Sequence, residues 1–194
     1  MIKTVRPKES RPRSGEYITF EEYKSILSEA YKTSNPFRNN RDTTLIQCLW
    51  ETGLRVSDVL NLNLNQIDFV TNVVKLIPKK TQRQRTVVEI PIRRELANKI
   101  RTLNALNGRK DGKIFELSYS QARIIVRDYG RKVGLGKPIH PHMFRHGIAT
   151  YMLNEKNVDL KTISKILGHK SIKTTADQYV DETIDKKRKA LGVE

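Results

Sequence analysis

The residues best suited to chemistry on an anion lie within positions 140–179. All four histidines of the chain fall in this stretch. His142 and Arg145 are three positions apart, so on one helix they share a face and can direct two donors at the same anion. Gly168 follows a segment with helical apolar spacing, which predicts a helix end there, with His169 just beyond it. The stretch therefore predicts a site for a negatively charged group.

Tyr179 is the candidate nucleophile of this stretch. The pKa of a free tyrosine is about 10, so its hydroxyl attacks efficiently only when cations or a base assist it. Basic residues surround it in the sequence. Tyr151 is the nearest competitor, but it lies in a helical pattern with Ile148 and Met152, which indicates a packing role.

Composition points to a nucleic acid as the partner. The chain has 37 Lys and Arg residues against 21 Asp and Glu, which gives a net charge of +16. So strong a positive balance is typical of proteins that bind nucleic acids. With 194 residues and 37% hydrophobic content, the chain is long enough for one domain with a full core.

No segment indicates a membrane span or a signal peptide, because there is no run of 18 apolar residues and the N-terminus lacks a hydrophobic segment. We therefore expect a cytoplasmic protein with no membrane partner. Cys48 is the single cysteine and lies in an apolar run. An internal disulfide is excluded, and a buried, inert thiol is expected.

The period of the apolar residues changes between positions 65 and 91. Two β-branched runs, 73–77 and 86–90, predict a hairpin whose tip is basic. Its strands would anchor the tip to the core and bring basic side chains against a phosphate backbone. These candidate DNA-binding residues are Lys79, Lys80, Arg83 and Arg85. A solvated charged loop is the alternative interpretation.

Four motifs together resemble those of one family: Thr52-Gly-Leu-Arg55, His142-Met-Phe-Arg145, Leu167-Gly-His169 and Tyr179. On these motifs the chain resembles the catalytic domain of the tyrosine recombinase (phage integrase) family, over roughly residues 19–180. The resemblance implies an enzyme for site-specific recombination or integration. Such an enzyme cleaves and rejoins DNA strands through a 3′-phosphotyrosyl intermediate and requires no cofactor or metal.

Two arginines are predicted to clamp the reacting phosphate. Attack by Tyr179 builds negative charge on the non-bridging oxygens, and the planar forks of Arg55 and Arg145 suit those oxygens better than lysine does. We expect Arg145→Ala to leave the fold intact and to slow cleavage by about 10²–10³.

The remaining roles concern proton transfer. His142 is expected to accept the tyrosine proton, and His169 to donate to the phosphate. One hairpin lysine is catalytic in the family. The resemblance of Lys80-Thr81 to the family's pattern selects Lys80 to protonate the leaving 5′ oxygen, with Lys79 as the competing choice.

Two positions depart from the family's usual pattern. His169 and Tyr179 are ten residues apart, whereas many members have nine, so we treat the spacing as a variant. Asp58 stands where a glutamate is more usual in the Arg55 motif, and we expect this replacement to be harmless.

The predicted fold is α+β, mainly helical with a small antiparallel sheet or hairpin. Thr19 and Glu22 form a capping box for the first helix, and a second helix is expected from about Asn40 to Glu51. A third is predicted near 93–107 with Leu106 inward, followed by a short strand at 113–115.

A further helix is predicted after Ser118 and Gln121, which form another capping box. Basic residues crowd its exposed faces, and the helix is expected to lie near DNA; an ordinary solvated face is the alternative. These candidate DNA-binding residues are Arg123, Arg127, Arg131 and Lys132.

We predict three regions along the chain. Residues 1–18 form a basic flexible arm or linker, residues 19–180 the catalytic domain, and residues 181–194 a C-terminal helix or tail. By resemblance only, the last region is a possible contact between protomers, and double-stranded DNA would be bound in a tetrameric synapse. The family usually carries an N-terminal DNA-clamping domain, which was either removed here or is naturally absent.

Three other functions stay open at this point. A metal could bind the histidines at 140, 142 and 146, although Arg145 between them repels a cation. A type IB topoisomerase shares the same chemistry. A regulator on the same fold would bind DNA without cleaving it, but the presence of every catalytic position argues against it.

Overall fold

Seven α-helices and a small antiparallel sheet make up the part of the chain that the computed structural model describes, residues 17–79, 86–108 and 112–168. The helices and strands, in chain order, are α1 (Phe20–Tyr31), α2 (Pro36–Thr52), α3 (Val56–Leu60), β1 (Ile67–Asp68), β2 (Val73–Leu76), β3 (Val88–Pro91), α4 (Arg94–Asn107), α5 (Tyr119–Lys132), α6 (Pro141–Asn154) and α7 (Leu160–Ile166). A 3-10 turn, Leu64–Gln66, precedes β1. The predicted α+β class, mainly helical with a hairpin, is confirmed.

Local capping chemistry sets the helix starts. The capping boxes that begin α1 and α5, Thr19 with Glu22 and Ser118 with Gln121, are both present as predicted. The predicted start of α2 at Asn40 was wrong, because Asn35 caps that helix and Pro36 occupies its first position. Proline suits the first helical position, where its missing N–H costs nothing.

The sheet has the order β1-β2-β3 and is antiparallel throughout. Val74 lies opposite Ile90 and Leu76 opposite Val88, and all four side chains are buried on one face. The predicted hairpin is confirmed at β2 and β3, and β1 is an additional edge strand. The predicted strand at 113–115 is only an isolated bridge between Lys113 and Asn63.

Helix α2 lies at the centre of the core, in contact with α1, α4, α5 and α6. Trp50 stacks on Tyr23 with 4.5 Å between ring centroids. Tyr151 stacks on Phe20 at 4.7 Å, which confirms its packing role. Cys48 is fully buried, and burial raises the pKa of its thiol far above the ordinary value, as expected for an inert cysteine.

The packed region begins before the predicted boundary at Thr19. Ile18 is fully buried and its N–H donates to the carbonyl of Met143, while Lys137 Nζ donates to the carbonyl of Tyr17.

Leu106, predicted to face inward, is 51% exposed. The described helices include none that is long and apolar enough to cross a membrane.

Candidate active site

A glycine turn at the end of α2 positions Arg55. Gly53 has φ of 59°, and a Cβ on it would lie 2.9 Å from Leu167 Cδ2, so a side chain there would be both strained and crowded. Arg55 follows in extended conformation as the N-cap of α3, with its side chain partly exposed. The close approach of Gly53 to Leu167 brings the first and third motifs together.

The guanidinium of Arg145 joins these two motifs to α6. Its Nη1 donates to the carbonyl of Gly53 and its Nη2 to the carbonyl of Leu167, both at 2.7 Å. Only 2% of Arg145 is exposed. These contacts give Arg145 a structural role beside its expected catalytic one, since Arg145→Ala would leave two buried carbonyls without their donor.

His142 lies on the same helix as Arg145 but is exposed, at the second position of α6. Protein groups nevertheless crowd its imidazole. This desolvation, followed by the effect of His146, Arg145, His140 and Arg55, lowers the pKa of His142 from 6.5 to about 4. His142 is therefore neutral at physiological pH in the protein without DNA.

The structure thus brings together three of the predicted catalytic residues. Arg55 and Arg145 both lie close enough to His142 to act on its pKa, and Arg145 binds the carbonyl two residues before Arg55. A neutral imidazole beside two guanidinium groups is suited to binding an anion and accepting a proton.

The base of the β2–β3 hairpin contacts two of the same motifs. Asp58 of α3 is 4% exposed, and its Oδ1 accepts the backbone N–H of Lys79 at 3.1 Å. A Cβ on Gly168, which has φ of 61°, would lie 3.3 Å from Val88 Cγ2 and 3.6 Å from Pro78 Cγ. The hairpin base is therefore held between α3 and the turn after α7.

Asp58 has a structural role at the hairpin base that its sequence context did not reveal. Its second oxygen, Oδ2, is buried and has no hydrogen-bond partner among the described residues. A carboxylate next to Val59 and Leu60 in a short helix was the available signal, because a carboxylate buried with such apolar neighbours normally has a hydrogen-bond partner. The contact to Lys79 could not be predicted, since it joins residues 21 positions apart.

Other predicted site residues lie outside the described part of the chain. They are Lys80, Arg83, Arg85, His169 and Tyr179. Lys79 is described, and it is exposed.

The basic residues of α5 differ in their surroundings, although all are exposed as predicted. Arg127 and Arg131 each pair with Asp128 at 3.4 Å. Arg123 and Lys132 have no ion pair within the described residues, although Lys132 Nζ lies over the ring of Tyr129, 5.2 Å from its centroid. Helix α5 contacts both α3 and α6, which carry the motif residues.

No group of three or more His, Cys, Asp or Glu side chains that could hold a metal occurs within residues 17–79, 86–108 and 112–168. His142 and His146 are neighbours, with 4.4 Å between ring centroids and an interplanar angle of 88°. Their contact is between rings and includes no carboxylate.

Fold and site define a class of protein: a mainly helical domain in which arginine and histidine from two separate motifs meet beside a small hairpin and are tied by a hydrogen bond to the end of a third motif. The chain belongs to the phage integrase family, whose model matches residues 16–185. The family expected from the four motifs is confirmed.

Curated relatives include a tyrosine recombinase of Pseudothermotoga lettingae, 29% identical over 90% of this chain and 59% of the relative. Tyrosine recombinase XerC of Lacticaseibacillus casei is 34% identical over 79% of this chain and 55% of the relative. Tyrosine recombinase XerA of Pyrococcus horikoshii is 32% identical over 90% of this chain and 59% of the relative. The chain thus spans a little over half the length of these relatives.

Solved structures with the same fold include an XerA recombinase, with a TM-score of 0.75 and 20% identity over 98% of this chain and 67% of that one. An XerH site-specific recombinase bound to its difH substrate has a TM-score of 0.78 and 18% identity, over all of this chain and 57% of that one. The catalytic domain of bacteriophage HP1 integrase has a TM-score of 0.59 and 20% identity, over 87% of this chain and 86% of that one.

Proposed function

We propose that this chain catalyses site-specific DNA recombination by cleaving and rejoining strands through a 3′-phosphotyrosyl intermediate. The observation that carries the proposal is the convergence of Arg55, His142 and Arg145, which come from distant motifs and are tied together through the carbonyls of Gly53 and Leu167. The partly exposed guanidinium of Arg55 and the exposed imidazole of His142 offer accessible groups to a scissile phosphate, and the buried guanidinium of Arg145 adds positive charge beside them.

In the proposed reaction the oxygen of Tyr179 attacks the phosphorus, and the bond from phosphorus to the 5′ oxygen breaks. Arg55 and Arg145 stabilise the charge that develops on the non-bridging oxygens. His169, next in sequence to Gly168, donates to the same group. The products are a phosphotyrosyl ester at the 3′ end and a free 5′ hydroxyl, so reversal on another strand needs no external energy source.

His142 receives the tyrosine proton in this scheme. Its low pKa keeps the imidazole uncharged and able to accept a proton before DNA binds. A phosphate bound beside the ring supplies a negative charge, which raises the pKa and strengthens the base. DNA binding would therefore activate His142.

Lys80 supplies the proton for the leaving 5′ oxygen. It follows Lys79, whose backbone N–H is held by Asp58, so Asp58 fixes the hairpin base one residue before the proposed acid. Lys79 itself is the competing acid, since its side chain is exposed.

Double-stranded DNA is the proposed partner. The net charge of +16 supports it. On α5 the exposed Arg123 is free of ion pairs to the described residues, whereas Arg127 and Arg131 would first have to leave Asp128. We further propose assembly on DNA as a tetrameric synapse, and action in the cytoplasm, where the DNA substrate would be met.

A nicked suicide substrate tests the proposal directly. The wild-type chain should form a protein–DNA adduct in the presence of a chelator and without ATP. The adduct should survive denaturant, and peptide mapping should place it on Tyr179. The variant Tyr179→Phe should bind duplex DNA within roughly a few-fold of wild type, because phosphate contacts dominate affinity, yet form no adduct. Tyr151→Phe is the matched control and should still form it.

Other outcomes would point to other functions. DNA binding without any adduct indicates a regulator, and cleavage by Tyr179→Phe that stops with chelator indicates a metal-dependent nuclease. An adduct accompanied by plasmid relaxation but no exchange between duplexes would move the protein to the topoisomerase class.

A further inference from the structure

His146 lies one turn after His142 on α6 and contacts it with its ring. The two imidazoles are 4.4 Å apart between centroids and nearly perpendicular, at 88°. An edge-to-face arrangement at this distance is a favourable packing geometry for aromatic rings. His146 is only partly exposed, whereas His142 is exposed, so His146 is the better anchored member of the pair.

We propose that His146 is a positioning residue for the proposed proton acceptor: its ring holds the exposed His142 imidazole in one orientation and limits the pair to a single positive charge. The inference rests on the proposed role of His142. Without the neighbouring ring, an exposed side chain at the start of a helix would sample several rotamers.

The charge limit follows from distance. Two imidazolium ions at this separation repel each other, so the first proton bound by the pair disfavours the second, and the pair titrates as a unit. Other groups near His142 act in the same direction: His140 at the N-cap of α6, Arg145 within α6, and Arg55 from the turn before α3. The start of α6 adds the positive end of the helix dipole.

The consequence for the reaction is a set order of protonation. Because desolvation and, after it, these groups disfavour a charge on His142, the ring stays neutral until a phosphate arrives. Once the phosphate is bound, His142 can take the tyrosine proton while His146 remains uncharged. His146 itself need touch neither DNA nor the nucleophile.

Two substitutions of His146 separate its effect on the orientation of the His142 ring from its effect on the charge of that ring. His146→Gln removes the ring, so the pKa of His142 should rise by about one unit, and the acid limb of the cleavage profile should move to higher pH by a similar amount. His146→Phe keeps a ring that can pack edge-to-face but cannot be protonated. It should retain most of the plateau rate near pH 8, whereas His146→Gln should lose about tenfold.

The first measurement is an NMR titration of the full chain, which has only four histidines to resolve. His140→Gln is the matched control, since His140 is a nearby titratable group that also lowers the pKa of His142, but by less than His146 does; this variant should therefore shift the pKa of His142 less than His146→Gln does. An unchanged His142 pKa in His146→Gln, or an equal shift in His140→Gln, would overturn the inference.

The second measurement is the pH profile of adduct formation on the suicide substrate. Equal plateau rates for His146→Gln and His146→Phe would show that the ring does not orient His142, which refutes the positioning role. If wild type forms no adduct at any pH, the proposed recombinase activity fails, while the titration still tests the coupling between the two rings.

Discussion

Arg145→Ala should destabilise the protein as well as inactivate it. The guanidinium is 2% exposed and donates to the carbonyls of Gly53 and Leu167 at 2.7 Å each. Leaving a buried acceptor without its donor costs about 1–3 kcal/mol, so two acceptors cost about 2–6 kcal/mol. Removing a buried charge also removes the cost of its desolvation. The net loss in the free energy of unfolding should therefore lie in the lower half of this range, at about 2–4 kcal/mol.

Such a loss would be a large fraction of the roughly 5–15 kcal/mol by which domains are stable. Arg145→Lys should lose less, about 1–2 kcal/mol, because one ammonium can replace one of the two hydrogen bonds. Arg123→Ala is the matched control. The Arg123 side chain is exposed and has no ion pair among the described residues. The free energy of unfolding of Arg123→Ala should therefore stay within about 0.5 kcal/mol of wild type.

Urea unfolding provides the assay, since the chain has a single tryptophan and Trp50 lies in the core against Tyr23. Its fluorescence and the far-ultraviolet circular dichroism should give coincident transitions, with a lower midpoint and an unchanged slope for Arg145→Ala. If Arg145→Ala proved as stable as Arg123→Ala, the structural role inferred from the two short hydrogen bonds would be wrong.

Four further predictions concern pH, the hairpin and DNA. The pKa of His142 is lower when folded, about 4 against 6.5, so the unfolded chain binds more protons between these values. The stability contribution of His142 should therefore fall as pH drops through that window, and urea midpoints from pH 4 to 8 should vary less in His142→Gln. Asp58→Ala should slow adduct formation by about tenfold through a misplaced hairpin base and Asp58→Asn by less, since an amide oxygen can still accept the N–H of Lys79; equal rates for both variants would exclude this role. Lys80→Ala should be rescued by a 5′-bridging phosphorothiolate, whose leaving group needs no proton, while rescue of Lys79→Ala would reassign the acid. The logarithm of the DNA-binding constant should decrease steeply with the logarithm of salt concentration, and a flat dependence measured by anisotropy would contradict binding through the basic surface.

The sequence alone determined those features that depend on neighbours along the chain. The capping boxes at Thr19 and Ser118 predict where α1 and α5 begin, because a cap and its partner are three residues apart. The glycine at 168 predicts the end of α7, because its positive φ suits few other residues. The two β-branched runs 73–77 and 86–90 predict the hairpin.

Only the tertiary structure decided how the motifs meet. Arg145 could equally have been a surface cation. What buries it is the approach of the Gly53 turn and the end of α7, which lie 92 and 22 residues away in sequence. The contact between Asp58 and the backbone of Lys79 is of the same kind. The signals from capping residues, glycines and β-branched runs are local, whereas the partner of a buried charge is set by which distant backbone groups the fold brings within hydrogen-bonding distance.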